Sequence, residues 1–434
     1  MRRLRLLAAA LLTAGLVGAP LAADAATAPT PGNLTGYAFD SCQTPSQASM
    51  DAWLTTSPFW GVGIYLGGEN RYQECESDQP ALTRTWVSTQ LAHGWRLLPI
   101  WVGPQAACTT YTGAKIDATP ASSYAAAKLQ GARAADAAAD AASGLGVPSG
   151  STLFYDLEDY ALTDDDCRRS ALSFLSGWTT EVHARAFRSG VYSNVSAAIA
   201  SLDYADNVAH GSYVMPDQIW YAWENGKADT AIDTQWVRTS SWTPHKRSHQ
   251  YDLDTDVTYG GVTLHIDRSF LDLGTGSVAP QAASTCGVNV NLGSYPTLRR
   301  GSTGSAVKAA QCLLKLQHYY GGTVSGRYDA ATATAVKRLQ THAHLYASGT
   351  LGKGAWTALL AAGQHPLLKR GSASEPVRHL QRALNAAGGE GLGVNGVFGS
   401  GTSSAVRRYQ QRVGQPVTGV VTWTTWSALL AGKV

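Results

Sequence analysis

A short apolar stretch that ends in two carboxylates, residues 152–158, constrains the fold more than any other feature. Its sequence is Thr-Leu-Phe-Tyr-Asp-Leu-Glu, which predicts a strand buried on both faces, as in a parallel sheet. Side chains alternate along a strand, so Asp156 and Glu158 should point to the same side. Burying carboxylates is unfavourable. The pair therefore indicates either a functional site or a strand that ends in an acid-rich loop, residues 159–166.

Similar apolar stretches recur up to residue 273 and alternate with helical segments, predicted over residues 80–93, 121–143 and 164–187. This alternation predicts a parallel sheet, and eight strands in roughly 250 residues fit a β/α barrel. The expected fold class is therefore α/β, a (β/α)8-like TIM barrel that is irregular in its last, briefly connected strands. An open doubly wound sheet is the alternative. The predicted strands are residues 36–40, 61–66, 96–101, 152–158, 190–192, 218–222, 249–251 and 264–267.

Several of these strands end in polar side chains, and the catalytic residues of β/α barrels lie at the carboxyl ends of strands. One acid at a strand end is typical of a helix cap, whereas acids on three or more strands indicate a site. The candidate catalytic residues are Glu158, Asp156 and Asp40. The candidate substrate-binding residues are Tyr192, Trp220, Trp223, Tyr251 and Asp267.

The amino terminus has the pattern of a secretion signal. Three arginines at positions 2, 3 and 5 precede an apolar run, and Ala23-Asp24-Ala25 fits a small-residue cleavage site, so we expect cleavage after Ala25. The apolar run is shorter than the roughly 20 residues that a membrane-spanning helix needs. The net charge of +3 is too small to indicate a nucleic-acid binder. We therefore expect a secreted, extracellular monomer with neither a nucleic-acid nor a membrane partner.

Secretion makes the six cysteines candidates for disulfides. Two of them, Cys286 and Cys312, lie apart from the rest and are expected to pair. The other four allow three pairings, of which we prefer Cys75–Cys108 with Cys42–Cys167. The chain has no Cys-x-x-Cys motif and no Cys/His cluster, so we expect neither a metal nor another cofactor.

The segment after residue 294 contains an internal duplication. Four landmarks recur at a constant offset of 70 residues: Gly301, Gln311, Gln340 and Trp356 return as Gly371, Gln381, Gln410 and Trp426. A fixed offset without insertions indicates duplication. Each copy predicts a small three-helix all-α domain with its own core. The expected organisation is a signal peptide (1–25), a linker (26–33), the barrel (34–273), a second linker (274–294), repeat 1 (295–363) and repeat 2 (364–434).

The strand signatures carry a family resemblance. Gly36-Tyr-Ala-Phe-Asp40, Asp156-Leu-Glu158, Trp220-Tyr-Ala-Trp223, Gln250-Tyr251 and His265-Ile-Asp267 resemble, in this order, those of family 25 lysozymes. Residues 34–273 resemble still more closely the secreted bacterial glycoside-hydrolase-like domain related to them. In family 25 lysozymes the Glu of Asp-x-Glu is the acid/base, and two Asp residues complete the acidic cluster. The resemblance assigns these roles to Glu158, Asp156 and Asp40.

The two repeats resemble the peptidoglycan-binding domain found at the ends of many cell-wall hydrolases, on their Leu-x-x-Gly-Ser, Leu-Gln and Gly-x-Tyr/Phe elements. Together the resemblances imply a cell-wall-associated, lysozyme- or muramidase-like glycoside hydrolase that cleaves peptidoglycan glycan strands. Glu158 would donate the proton, and Asp156 would stay ionised. The alternative is a non-catalytic protein that keeps the barrel as a sugar-binding cleft. A zinc amidase is disfavoured, because His245 and His249 lack the accompanying Glu of a zinc motif.

Overall fold

The structure is a computed structural model that describes residues 28–71, 79–209, 211–274 and 286–434. The predicted signal peptide, residues 1–25, lies outside the described residues, and so does Cys75.

Within the described residues, eight strands close into a barrel in chain order. This confirms the expected (β/α)8-like barrel and excludes the open doubly wound sheet. The strands are β1 (Thr35–Asp40), β2 (Phe59–Gly67), β3 (Arg96–Trp101), β4 (Thr152–Asp156), β5 (Arg188–Asn194), β6 (Gln218–Ala222), β7 (Arg247–Tyr259) and β8 (Val262–Asp272).

Helices cover the outside of the barrel. Two of them pack closely because Gly131 and Gly177 lie at their crossing, where an added Cβ would come within 2.0 Å of a carbonyl oxygen of the facing helix. The segment before β1, expected to be a linker, also packs on the barrel: Thr30 is buried and hydrogen-bonds to Leu97 and Ser151. The barrel helices are α1 (Gln47–Thr56), α2 (Arg84–Ala92), α3 (Ala125–Leu145), α4 (Asp165–Ala184) and α5 (Ala200–Val208).

Strand β8 departs from the parallel sheet that the alternation of strands and helices predicts. It pairs antiparallel with both β7 and β1, whereas the other neighbouring strands are parallel. The cause is the tight turn at Gly260 and Gly261, whose φ angles of 58° and 79° suit a two-residue hairpin. Such a short connection can join only antiparallel strands. The expected irregularity of the last strands is confirmed, but the expectation of a parallel β8 is wrong.

The disulfides are confirmed in part. Cys286 pairs with Cys312 as expected, but Cys108 pairs with Cys167, so the preferred pairing of Cys75–Cys108 with Cys42–Cys167 is wrong. Cys108 follows β3 and Cys167 lies in the first turn of α4, after β4. Because β3 and β4 are neighbours in the barrel, their following segments meet, which spacing along the chain does not reveal. Cys42 is also disulfide-bonded.

The carboxyl-terminal part consists of two three-helix repeats that share one hydrophobic core. We expected two self-contained units, but α8 packs against helices α9 and α11 of the other repeat. The duplication is also visible in detail: the Trp356 and Trp426 indoles each donate to a proline carbonyl 60 residues earlier, at 2.8 Å. The helices are α6 (Ser305–Leu316), α7 (Ala330–His342), α8 (Lys353–Ala361), α9 (Glu375–Gly388), α10 (Ser400–Arg412) and α11 (Trp423–Leu430).

Lys369, at the start of repeat 2, anchors the tail on the barrel. Its side chain is almost fully buried, with 1% of the residue exposed. The Nζ atom donates to the carbonyl oxygens of Leu54 (2.8 Å) and Ser57 (3.3 Å) and lies 4.3 Å and 4.9 Å from the ring centroids of Trp60 and Trp95. Burial lowers the pKa of Lys369, but carbonyl oxygens and indole faces favour its charged form.

The next residue, Arg370, extends this contact along the barrel. Its guanidinium carbon lies 4.5 Å from the Phe270 ring centroid and 5.0 Å from that of Tyr37, and Nη1 donates to the Tyr37 hydroxyl at 2.8 Å. The equivalent residues of repeat 1, Arg299 and Arg300, are exposed. The same duplicated motif therefore docks in one repeat and faces solvent in the other.

Replacing Lys369 tests this anchor. We expect Lys369→Ala to destabilise the folded chain by about 1–3 kcal/mol, because two carbonyl hydrogen bonds and two cation–π contacts are lost. Thermal unfolding followed by circular dichroism measures the effect, and Arg299→Ala is the matched control at the equivalent exposed position. Equal shifts of Tm in the two variants would contradict the anchoring role.

Candidate active site

A cleft of about 530 Å³ opens at the carboxyl ends of the strands. Five acids line it: the exposed Asp254 and four others from three places in the fold. Asp40 ends β1, Asp156 ends β4, Glu158 follows two residues later, and Asp267 comes from the antiparallel β8. Asp40 and Asp156 are almost fully buried, at 3% and 4% exposure, whereas Glu158 is half-buried. Of the three candidate catalytic residues, Glu158 therefore has the most open access to the cleft.

The backbone around Asp156 and Glu158 is held by a buried glutamine, Gln105. Its Nε2 donates to the carbonyl oxygen of Asp156 at 2.9 Å, and its Oε1 accepts from the Glu158 N–H at 2.8 Å. Between them, the Leu157 N–H donates to the Tyr192 carbonyl at 3.0 Å, which continues the pairing of β4 with β5. The extended path thus persists to Glu158, and both carboxyl groups line the same cleft. The sequence gives no signal for Gln105, because it lies in a loop after β3.

The second half of the cluster is built across the antiparallel pair of β1 and β8, in which Asp40 and Asp267 are direct partners. Gln250 Nε2 donates to Asp40 Oδ1 at 3.2 Å and to Asp267 Oδ2 at 3.3 Å. Its orientation is fixed by the Tyr192 hydroxyl, which donates to Gln250 Oε1 at 2.6 Å. The Tyr65 hydroxyl donates to Asp40 Oδ2 at 3.1 Å. One amide and one phenol therefore hold two carboxyl groups side by side.

A glycine on the neighbouring strand makes room for Asp40. A Cβ added at Gly63 would lie 2.5 Å from the Asp40 Cβ, so any larger residue would displace the carboxyl group from the barrel interior.

Burial raises the pKa of all four acids. The pKa of Asp156 is raised well above its ordinary value by burial and by the charges of Glu158 and Asp40. The pKa of Asp40 is raised well above its ordinary value by burial and by Asp267, against the lowering effect of the Gln250 and Tyr65 hydrogen bonds. Burial likewise raises the pKa of Glu158 and Asp267. Because each ionised acid disfavours ionisation of its neighbours, the cluster retains protons at a pH where isolated carboxyls have lost them.

The neighbouring acids Asp156 and Glu158 differ in how tightly each binds a proton. A hydrogen bond between the two carboxyl groups raises the pKa of Asp156 and lowers that of Glu158, which favours Asp156 as the donor. Asp156 Oδ1 is buried and has no N–H or O–H donor among the described residues. The surroundings of Asp156 therefore oppose the ionised form that we expected from the sequence.

The aromatic residues predicted to bind substrate lie elsewhere, with one partial exception. Tyr192 reaches the carboxyl cluster through Gln250. Trp220 is buried inside the barrel against Phe154 and donates its indole N–H to Ser269 Oγ at 3.0 Å. Trp223 and Tyr251 pack against His249. None of the four is among the described residues that line the cleft.

Two other tyrosines form the aromatic wall. Tyr65 lies near the carboxyl end of β2, so the strand-end rule that selected the acids could have found it. Tyr111, 47% exposed, comes from an irregular loop after β3 and carries no signal in the sequence. Burial and the charge of Glu158 raise the pKa of Tyr111 to about 12, so it faces the cleft as a neutral phenol. The other polar residues of the lining are Ser41, Asn70, Arg71, Asp254 and His265.

The histidines considered for zinc have structural partners. His249 is buried, and its two ring nitrogens lie 2.8 Å from the carbonyl oxygens of Asp229 and Trp223. His245 Nδ1 lies 2.7 Å from Asp272 Oδ1. In the described part of the chain, no group of three or more His, Cys, Asp or Glu side chains is arranged to hold a metal ion. No described helix combines the length and the apolar character needed to cross a membrane.

The Rv2525c-like, glycoside hydrolase-like domain matches residues 51–271, about half of the chain. The chain belongs to this family. The matched range includes Asp156, Glu158 and Asp267, while Asp40 precedes it. The peptidoglycan binding domain matches twice in the tail, at residues 303–359 and 373–429. The protein thus joins a glycoside hydrolase-like barrel to two peptidoglycan binding domains.

A curated relative, N-acetylmuramoyl-L-alanine amidase CwlL of Bacillus licheniformis, is 29% identical over 182 residues, covering 34% of this chain and 48% of the relative. The chain thus spans about half the length of the curated relative it matches. Three solved structures each align with 54% of the chain: an uncharacterized B. stearothermophilus protein (18% identical, TM-score 0.36, 95% of that chain), the Mycobacterium tuberculosis Tat-secreted protein Rv2525c (12%, 0.35, 95%) and the modular autolysin LytC of Streptococcus pneumoniae (13%, 0.35, 46%).

The raised pKa of Asp156 predicts a pH-dependent gain of stability on its neutralisation. The folded state binds the Asp156 proton more tightly than the unfolded state, so ionisation costs stability once the pH exceeds the unfolded pKa of about 3.9. Asp156→Asn should match the wild type in stability near pH 3, become more stable by about 1–3 kcal/mol as the pH rises through the raised pKa, and then level off. Denaturant unfolding at several pH values measures this.

The control for this variant is Asp159→Asn, which neutralises an exposed acid three residues away. A gain in the control as large as that in Asp156→Asn, or a gain independent of pH, would contradict the assignment of the raised pKa to Asp156.

Proposed function

We propose that this protein is a secreted, cell-wall-associated glycoside hydrolase that cleaves the glycan strands of peptidoglycan, with Glu158 as the proton donor. One observation carries the proposal: four acids with raised pKa values converge at the carboxyl ends of the barrel strands, in a chain with two peptidoglycan binding domains. Glycoside hydrolysis needs a carboxylic acid that still carries its proton near neutral pH.

Glu158 is the acid with access to substrate. It is half-buried beside Tyr111 and Tyr65, and burial raises its pKa. Its carboxyl would protonate the glycosidic oxygen as the bond to the anomeric carbon breaks, and a water molecule would then add to that carbon and return a proton to the Glu158 carboxylate. Gln105 fixes the Glu158 backbone, which limits the loss of entropy when the acid is aligned with a bound sugar.

Asp156 would keep Glu158 supplied with a hydrogen bond throughout the reaction. In the reactive form both carboxyl groups would be protonated, since the pKa of each is raised, and the side-chain carbonyl oxygen of Asp156 would accept from Glu158. Once Glu158 has given its proton to the leaving oxygen, the Asp156 hydroxyl would donate to the new Glu158 carboxylate. Ionisation of one member of the Asp40–Asp267 pair would add negative charge beside the cleft, which would stabilise the oxocarbenium-like character of the transition state. Gln250 and Tyr65 hold Asp40 for this role.

The tail would deliver the barrel to its substrate. The predicted signal peptide sends the chain out of the cell, and the two peptidoglycan binding domains would retain it at the wall. Lys369 and Arg370 dock repeat 2 near the amino-terminal ends of β2 and β3 and against β1 and β8. The cleft opens at the opposite ends of these strands and stays accessible to a glycan.

Replacing the proton donor tests the activity. We expect Glu158→Gln to lower hydrolysis of purified peptidoglycan by roughly 10²-fold or more, because the amide keeps the shape but cannot donate an acidic proton. The rate is measured as new reducing ends, with the products identified by mass spectrometry. Co-sedimentation with cell walls should stay nearly unchanged, and Tm should not fall, because the variant removes a carboxyl group whose pKa is raised by burial.

Asp159→Asn is the matched control, since it removes a neighbouring exposed carboxylate and should leave the rate within about twofold. An unchanged rate in Glu158→Gln would mean that another acid donates the proton. If neither the wild type nor the variant produces new reducing ends while both sediment with walls, the protein is a non-catalytic wall binder.

A further inference from the structure

A second polar groove, of about 180 Å³, lies where repeat 2 meets the barrel. The barrel contributes Tyr37 and Pro58, and repeat 2 contributes Lys369, Arg370, Arg407 and a set of serine and threonine residues. The groove is separate from the acidic cleft, with which it shares no lining residue. It exists only because repeat 2 docks on the barrel.

Repeat 2 contains many more basic than acidic residues. Residues 364–434 contain eight Lys and Arg but only two Glu. Each glutamate is already paired with two arginines of the same repeat, Glu375 with Arg378 and Arg382 and Glu390 with Arg408 and Arg412. Repeat 2 therefore has no carboxylate left over for its other basic residues.

Three of those other basic residues, Lys369, Arg370 and Arg407, meet at the groove. None of them forms an ion pair with the described residues, and no described Asp or Glu lines the groove. Lys369 is buried on carbonyl oxygens and indole rings, and Arg370 lies over Tyr37 and Phe270. Because burial lowers the pKa of Lys369 well below its ordinary value, the positive charge of the groove is carried by Arg370 and Arg407, which have no carboxylate partner among the described lining residues.

Comparison with repeat 1 shows what is special to the groove. At the constant offset of 70 residues, repeat 1 keeps basic residues, with Lys337 at the position of Arg407. It has alanines, Ala330 and Ala333, where repeat 2 has Ser400 and Ser403. The two serines line the groove, whereas Ala330 and Lys337 of repeat 1 are exposed. Two of the four serine and threonine residues that line the groove are therefore specific to repeat 2, while Ser404 and Thr418 have hydroxyl counterparts in repeat 1.

We propose that this groove binds an oxyanion, the carboxylate or phosphate group of an anionic cell-wall component. The guanidinium groups of Arg370 and Arg407 offer forked donors that suit the paired oxygens of such groups, and the serine hydroxyls add neutral donors. The volume of about 180 Å³ is sufficient for one such group. Carboxylates and phosphates present the same oxygen chemistry, so the source of the anion is decided by experiment.

The test uses the full chain without residues 1–25 and two probes, inorganic phosphate and acetate, titrated by calorimetry at constant ionic strength. We expect one of the probes, or both, to bind once per chain, and Arg407→Ala to weaken that binding by about tenfold or more, because a charge-assisted hydrogen bond is lost. Arg407 is exposed, so the variant should fold normally. Selective binding of phosphate or of acetate identifies the source.

Two further variants make the result specific. Lys337→Ala removes the equivalent charge from repeat 1 and should leave the affinity within about twofold. Ser403→Ala introduces the residue that repeat 1 already has at this position, and should weaken binding without any change of charge. The proposal is overturned if neither probe binds, if Arg407→Ala binds as well as the wild type, or if Lys337→Ala weakens binding as much as Arg407→Ala.

Discussion

The turn at Gly260 and Gly261 is the constraint on which the composition of the site depends. A two-residue connection reverses the chain, so β8 runs against its neighbours and places Asp267 directly opposite Asp40 on β1. In an all-parallel barrel, Asp267 would lie on a strand parallel to β1 and would not form this antiparallel pair with Asp40. The reversal also aligns Gln250 of β7 with both carboxyl groups. One local backbone feature therefore determines which acids interact and which amide holds them.

Burial then raises the pKa values of these acids. Carboxyl groups at the end of a closed barrel lose much of their hydration, and their mutual repulsion raises the cost of ionisation further. Two neutral donors, the Gln250 amide and the Tyr65 hydroxyl, offset part of this cost for Asp40. Asp156 and Glu158 instead form a hydrogen bond with each other. As a result, Asp156 retains a proton beside Glu158, the acid most accessible from the cleft.

The sequence predicted the barrel, its order of strands and the positions of the acids, because apolar strands with polar ends have a clear local pattern. It did not predict the direction of β8, although Gly-Gly between two strand-like segments was a readable signal. It misplaced the aromatic wall, because Trp220 is buried inside the barrel against Phe154 and Tyr251 packs against His249. Gln105 and Tyr111 lie in irregular loops, whose path depends on tertiary contacts. The pairing of Cys108 with Cys167 likewise depends on which strands are neighbours.

The duplicated tail shows one sequence motif in two physical roles. In repeat 2 the basic pair Lys369 and Arg370 is buried on aromatic rings of the barrel, while Arg299 and Arg300 of repeat 1 face solvent. Since the repeats also share one core, docking of repeat 2 fixes the position of repeat 1 as well. The acidic cleft and the basic tail thus lie at opposite ends of one continuous body.

The central claim is that Glu158 presents its carboxyl to a glycosidic bond in the acidic cleft. The most direct measurement is a crystal structure of Glu158→Gln bound to a peptidoglycan fragment of at least two disaccharide units. The account predicts sugar rings against Tyr65 and Tyr111, with a glycosidic oxygen within hydrogen-bond distance of the side chain at position 158. A fragment bound only to the repeats, or one whose glycosidic oxygens all lie beyond reach of position 158, would contradict it.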